Sequence, residues 1–221
     1  MNRKPGRRAR SPLPVTTAIL TLIGMIGLFC SCGGQPHPRV TLSLQTGEKI
    51  VLELYPEKAP NTVNHFLRLA DSGYYNGKTF SRAVGGYLAA CDGLNAQGYR
   101  EPVRCRIKGE FAAAGFPQND LRHVAGVVSM ARENAARGRP PEESYDTAGG
   151  GFVILSGESP RMDGLYAAFG RVVSGMGAVD KIAAGPVTGE ALVRPVEICT
   201  AEVSYRGYKP AAPVTEKQCL G

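Results

Sequence analysis

Apolar and polar residues alternate across residues 40–54, VTLSLQTGEKIVLEL, with Val40, Leu42 and Leu44 in one run and Ile50, Leu52 and Leu54 in the next. A period of two gives a strand one buried face, and Gln45–Lys49 with Gly47 supplies a turn, so a β-hairpin is predicted. The period then changes. Val63, Phe66, Leu67 and Ala70 fall at i, i+3, i+4 and i+7, which predicts an amphipathic helix over residues 60–72. Pro60 suits its first turn, Asn61 or Thr62 its cap, and Gly73 its end. His65 falls off the apolar stripe, which places it at the surface or its boundary.

Short apolar runs follow at 79–83, 86–90, 127–130, 152–155, 168–173 and 197–205, with a second helix over 176–183. The 28 glycines and 16 prolines fall largely between these runs and favour short elements. Many short strands with two helices point to a mainly β domain, a closed barrel or a sandwich. Residues 132–148 read as a polar, proline-containing loop and 206–221 as a loose tail.

The chain of 221 residues, 43% hydrophobic, is long enough for one well-packed domain. Its net charge of +7 is concentrated at the start, where Arg3, Lys4, Arg7, Arg8 and Arg10 contribute five positive charges and residues 11–32 none. The remainder nets +2 (7 minus 5), which argues against nucleic acid as a partner.

That basic start is followed by an apolar run over 13–29 and then by Cys30-Ser31-Cys32-Gly33-Gly34, the layout of an export signal. Leu28 to Cys32 resembles the lipobox of bacterial lipoproteins, and Cys32, preceded by Ser31, is the better lipidation site. An uncleaved anchor is the other reading, although the run is short for a membrane span. Both put the domain outside the cytoplasm, either membrane-anchored or secreted. The organisation expected is 1–32 signal or anchor, 33–39 linker, 40–205 folded domain and 206–221 tail. Cys91, Cys105, Cys199 and Cys219 allow three disulfide pairings or free thiols, and their spacing suggests no metal site.

Several motifs, in order, carry a family resemblance. LELYPEKAPNTVNHFLRLADSGYYNGKTFSR (52–82), GVVSMAR (126–132), DTAGGGFVIL (146–155) and MDGLYAAFGRVVSGMGAVDKI (162–182) resemble the corresponding segments of cyclophilin-type peptidyl-prolyl cis-trans isomerases. The resemblance implies a closed antiparallel eight-stranded barrel capped by two helices, with a proline-binding groove on its outer wall. It also implies a monomer without cofactor or metal that acts on proline-containing polypeptides and assists folding of exported proteins.

The resemblance places Arg82 at the family's catalytic arginine and Phe80, Tyr87, Leu88, Ala131, Val153, Met162 and Tyr166 at its substrate-binding positions. It also exposes departures. Ser81 stands at a usual histidine, Ala90 and Gly151 at glutamines that hold substrate or arginine, Gly150 at a serine and Val153 at a phenylalanine. These departures support an alternative: a catalytically weak or inactive module of the same fold that binds proline-containing segments or a partner protein.

Overall fold

The computed structural model describes residue 1 and residues 37–100, 103, 105–133 and 141–215. The apolar run at 13–29, Cys32 and Cys219 lie outside the described residues. Among the described residues nine strands form: β1 Arg39–Leu44, β2 Lys49–Leu54, β3 Thr79–Val84, β4 Leu88–Cys91, β5 Val127–Met130, β6 Phe152–Leu155, β7 Ala168–Ser174, β8 Val187–Thr188 and β9 Ala191–Ser204. Two helices accompany them, α1 Pro60–Asp71 and α2 Met176–Ala183. The sheet order is β1-β2-β7-β5-β6-β4-β3-β9, and β1 pairs again with β9 to close an eight-stranded antiparallel barrel. The two-residue β8 merely extends β9.

The alternating hairpin faces inward. Val40, Leu42, Ile50, Leu52 and Leu54 are fully buried in the barrel core. Phe66 of α1 packs among Tyr75, Phe152 and Phe169, with ring centroids 4.9–5.3 Å away. Tilted and edge-on pairs of this kind add to the burial of their area.

The helix start differs from expectation. Neither Asn61 nor Thr62 caps α1 through its own side chain. Glu110, distant in sequence and buried, accepts hydrogen bonds from the Asn61 and Thr62 amides (3.0 and 2.7 Å) and from the Thr62 hydroxyl (2.6 Å). A carboxylate there satisfies the orphan amides and meets the positive end of the helix dipole.

His65 is fully buried rather than at the surface, and its Nε2 donates to the Gly149 carbonyl at 2.8 Å. Its polar character hid this position from the apolar count. The tail is not loose as far as Thr215. The Tyr208 hydroxyl bonds Asn64, Asn61 clasps the Val214 backbone, and Ile107 bridges Thr215. Cys91 and Cys199 are free thiols, whereas Cys105 is disulfide-bonded.

Burial holds the His65 pKa down at about 4, against 6.5 in an unfolded chain. The unfolded state therefore takes up a proton that the fold refuses. Stability from this site is intact above pH 6.5 and is lost as pH falls from there toward 4, by up to about 3 kcal/mol. Urea denaturation at pH 7.5 and pH 4.5 is expected to show this loss, with a smaller pH dependence for His65→Gln. Glu110→Ala is expected to lower stability at pH 7.5 by roughly 2–3 kcal/mol, because two amides and a hydroxyl lose their acceptor.

Candidate functional site

An open groove of about 620 Å³ lies on the outer wall over β3, β4 and β6 and reaches the turn at Pro160–Met162. Strand register builds its floor. Arg82, Ala90 and Val153 are cross-strand neighbours on β3, β4 and β6, and Val84, Leu88 and Leu155 form the next row. Leu88, Ala90, Val153, Leu155 and Met162 constitute an apolar cluster separate from the barrel core, with Tyr87, Ala131 and Tyr166 against it. The tight turn from β3 to β4 uses Gly85 and Gly86 at φ 54° and 73°, a conformation that a side chain would strain. It delivers Tyr87 to the rim.

Arg82, Tyr87, Leu88, Ala131, Val153, Met162 and Tyr166 all line this groove. Phe80 does not. It is fully buried in the barrel core, 5.8 Å from the Phe152 ring. Residues two apart on a regular strand share a face, so Phe80 and Arg82 are expected together. The β3–β9 register shifts between them, and this irregularity turns Phe80 inward and Arg82 outward.

Arg82 is held by two carboxylates. Its Nε and Nη2 donate to the two oxygens of Asp92 at 3.0 and 3.2 Å, and its Nη1 donates to Glu190 at 3.0 Å. Three of about five guanidinium N–H groups are thus engaged, and two remain to donate elsewhere. The Asp92 hydrogen bonds, reinforced by its charge and by Glu190, raise the arginine's pKa, so its charge is permanent. The Asp92 side chain is 17% exposed and that of Glu190 56%, which makes Asp92 the firmer of the two tethers.

The departures at the groove have local partners. Alanine at position 90 leaves the strip beside Arg82 without a polar side chain, and Asp92, two residues along the chain, reaches the guanidinium instead. A Cβ on Gly150 would stand 2.5 Å from the Tyr74 hydroxyl, and one on Gly93 2.8 Å from the same atom. Tyr74 therefore occupies space that two missing side chains leave open. At Gly151 a Cβ would lie 3.2 Å from the Ala131 methyl, so a long amide would start in a crowded position. Ser129, on β5, pairs directly with Val153 and shares its face of the sheet; it is fully buried and bonds the buried His123, which bonds Asp163.

Sequence reasoning missed Asp92, Glu190, Arg132 and Arg161. Asp92 was discoverable, because it shares strand parity with Ala90. Arg132 directly follows Ala131, and Arg161 directly precedes Met162. The described ends of the 132–148 loop meet beside the groove, where Glu133 N donates to the Thr147 hydroxyl. Among the described residues no cluster of His, Cys, Asp or Glu is placed to hold a metal ion.

Comparison with known proteins identifies the family and the fold. The family model "Cyclophilin type peptidyl-prolyl cis-trans isomerase/CLD" matches residues 39–203. The chain is 34% identical over 155 residues to peptidyl-prolyl cis-trans isomerase B of Bacillus subtilis, covering 68% of this chain and 94% of that one. It is 32% identical over 150 residues to peptidyl-prolyl cis-trans isomerase B of Escherichia coli, covering 68% and 86%. The crystal structure of a cyclophilin type isomerase from Cryptosporidium parvum superposes with TM-score 0.59 at 20% identity, covering 76% of this chain and 98% of that one. A second structure of that protein, obtained in the presence of the dipeptide Ala-Pro, gives 0.57 at 21% identity, covering 75% and 98%.

Gly150→Ala is expected to cost roughly 1–3 kcal/mol, since the new methyl meets the Tyr74 ring. Adding Tyr74→Ala should recover part of that loss. A double-mutant cycle by chemical denaturation measures both, and strict additivity would refute the steric account.

Proposed function

Because this chain belongs to the cyclophilin-type peptidyl-prolyl cis-trans isomerase family, we propose that it accelerates isomerisation of X-Pro bonds in exported polypeptides, with Arg82 as the catalytic residue. The enzyme class follows from the family. The assignment to Arg82 rests on one observation: a permanently charged guanidinium, tethered at three N–H groups and with donors to spare, at the edge of an apolar groove.

Rotation about an X-Pro bond is slow because amide resonance opposes twisting, with a barrier of about 18–20 kcal/mol. Twisting localises the lone pair on the proline nitrogen. A fixed cationic donor beside that nitrogen stabilises the twisted state more than either planar state, which is the requirement for catalysis. Leu88, Val153 and Met162 supply the apolar bed for the ring. No covalent intermediate and no cofactor enter the reaction.

Asp92 is the positioning residue in this scheme. Its bidentate geometry fixes the orientation of the guanidinium, the task that a glutamine at position 90 would perform. Fixing comes at a cost, because Asp92 and Glu190 together offset the positive charge that the twisted bond uses. This observation, with the empty positions at Ala90 and Gly151, favours a second reading in which the groove binds proline segments and turns over slowly.

The N-terminal segment supports export as a lipoprotein: a basic start, the apolar run at 13–29 and Ser31-Cys32 at the boundary. The disulfide at Cys105 fits an oxidising compartment. We infer a mature, monomeric chain that begins at lipidated Cys32. Mass spectrometry of the mature N-terminus should find a diacylated Cys32, and Cys32→Ala should leave the precursor unprocessed.

Arg82→Ala is expected to lower kcat/KM on a short X-Pro peptide by roughly 100-fold while folding survives, measured by NMR exchange. If the native chain shows no acceleration while still binding the peptide, the second reading holds. Asp92→Ala is expected to lower kcat by roughly tenfold with little change in KM. Asp92→Asn, or Ala90→Gln added to Asp92→Ala, should restore part of it, which a purely structural role for Asp92 would not produce.

A further inference from the structure

Two more guanidinium groups stand at the groove, and neither has a carboxylate partner among the described residues. Arg132 sits between the Tyr166, Tyr145 and Phe111 rings, with its guanidinium carbon 4.5, 5.4 and 5.8 Å from their centroids. Its Nε donates to the Leu165 carbonyl at 3.3 Å, and its Nη1 donates to the Ser144 hydroxyl and, at 3.4 Å, the Glu133 carbonyl. All these contacts are to neutral groups, and Nη2 makes none among the described residues. Arg161 lies over the Tyr87 ring at 5.6 Å and donates to the Tyr87 hydroxyl.

Both arginines line the groove together with Arg82. Of the acids nearby, Asp92 and Glu190 hold Arg82 and Glu133 pairs with Arg106, whereas Asp163 accepts hydrogen bonds from the His123 amide and from its ring, which burial keeps toward neutral. Of the charged residues lining the groove, three are arginines and one is the tethered Glu190. Aromatic and hydroxyl contacts fix the two free guanidinium groups without neutralising them. Arg132 is half-buried and Arg161 exposed, and a guanidinium pre-positioned in this way is suited to a carboxylate and repels a lysine.

We propose that Arg132 and Arg161 make the groove selective for X-Pro segments in which an acidic residue flanks the proline. The proposal rests on the isomerase reading for its substrate but not for its test, since selectivity is also readable as binding. One charge is set by the polar loop that follows β5 and the other by the turn before β7, so the preference comes from segments outside the apolar floor.

The experiment uses the purified full-length chain and matched peptides carrying Glu, Gln or Lys immediately before or after proline. Dissociation constants are measured by NMR titration and isomerisation rates by exchange spectroscopy. At low salt, Glu peptides are expected to bind about tenfold more tightly than Lys peptides, falling to within about twofold at 0.5 M salt. Arg132→Gln and Arg161→Gln should each reduce the Glu-to-Lys ratio by about threefold, and the double variant should bring it near unity. Equal affinity for Glu and Lys peptides at low salt, or a ratio unchanged in the double variant, would overturn the proposal. If the peptides bind with the expected ratio but none is accelerated, the isomerase reading fails and the acidic preference stands.

Discussion

The site depends on a slip in strand register between Phe80 and Arg82. In a closed barrel each strand residue faces either the filled interior or the outer wall, and strict alternation would put these two on one face. The irregularity in the β3–β9 pairing breaks that phase. Phe80 completes the aromatic packing around Phe152, while Arg82 emerges beside Ala90 and Val153. A regular β3 would have had to choose between a sound core and a cation in the groove. Bulges next to functional sites commonly re-aim a side chain in this way.

Given an outward Arg82, the remaining chemistry concerns holding it. The residues that the family resemblance leads one to expect at 90 and 151 are absent, and the structure answers with different groups at different positions. Asp92 takes the guanidinium in a two-point grip, and Glu190 adds a third contact from the segment before β9. Tyr74 fills the space left by glycines at 93 and 150. A carboxylate orients an arginine more strongly than an amide does, because the hydrogen bonds are charge-assisted. It also subtracts charge from the cation, so orientation and electrophilic strength are set against each other. The apolar floor, smaller at Val153 than the family's phenylalanine, leaves room above it that the flanking aromatics Tyr87 and Tyr166 border.

The barrel core packs against the back of this wall. The core rings around Phe66, the β1–β9 closure and the Glu110 carboxylate at the start of α1 all act from behind or beside the groove strands. His65 contributes from inside, fastening the backbone at Gly149 just ahead of β6. Burial disfavours the charged imidazole although its bond to Gly149 favours it, so acid acts here through the cost of burying a charge.

Much of the fold was legible in the chain alone. The two-residue period of 40–54 gave the hairpin, the i, i+3, i+4, i+7 period gave α1, and the ordered motifs gave the barrel and seven of its groove residues, Arg82 and Tyr87 among them. These are local properties, since periodicity records which face is buried without reference to what buries it. What only the tertiary structure decided were the non-local pairings. Phe80 went inward because of a partner strand more than 100 residues away, and Glu110 capped a helix 48 residues before it. His65 was buried by a carbonyl 84 residues on, and the tail was tied down by Asn61 and Asn64. Arg132 and Arg161 read as ordinary charges until folding set them over one groove, without carboxylate partners among the described residues. Sequence fixes period and residue type, whereas the balance of charge at a point in space is settled only when distant segments meet.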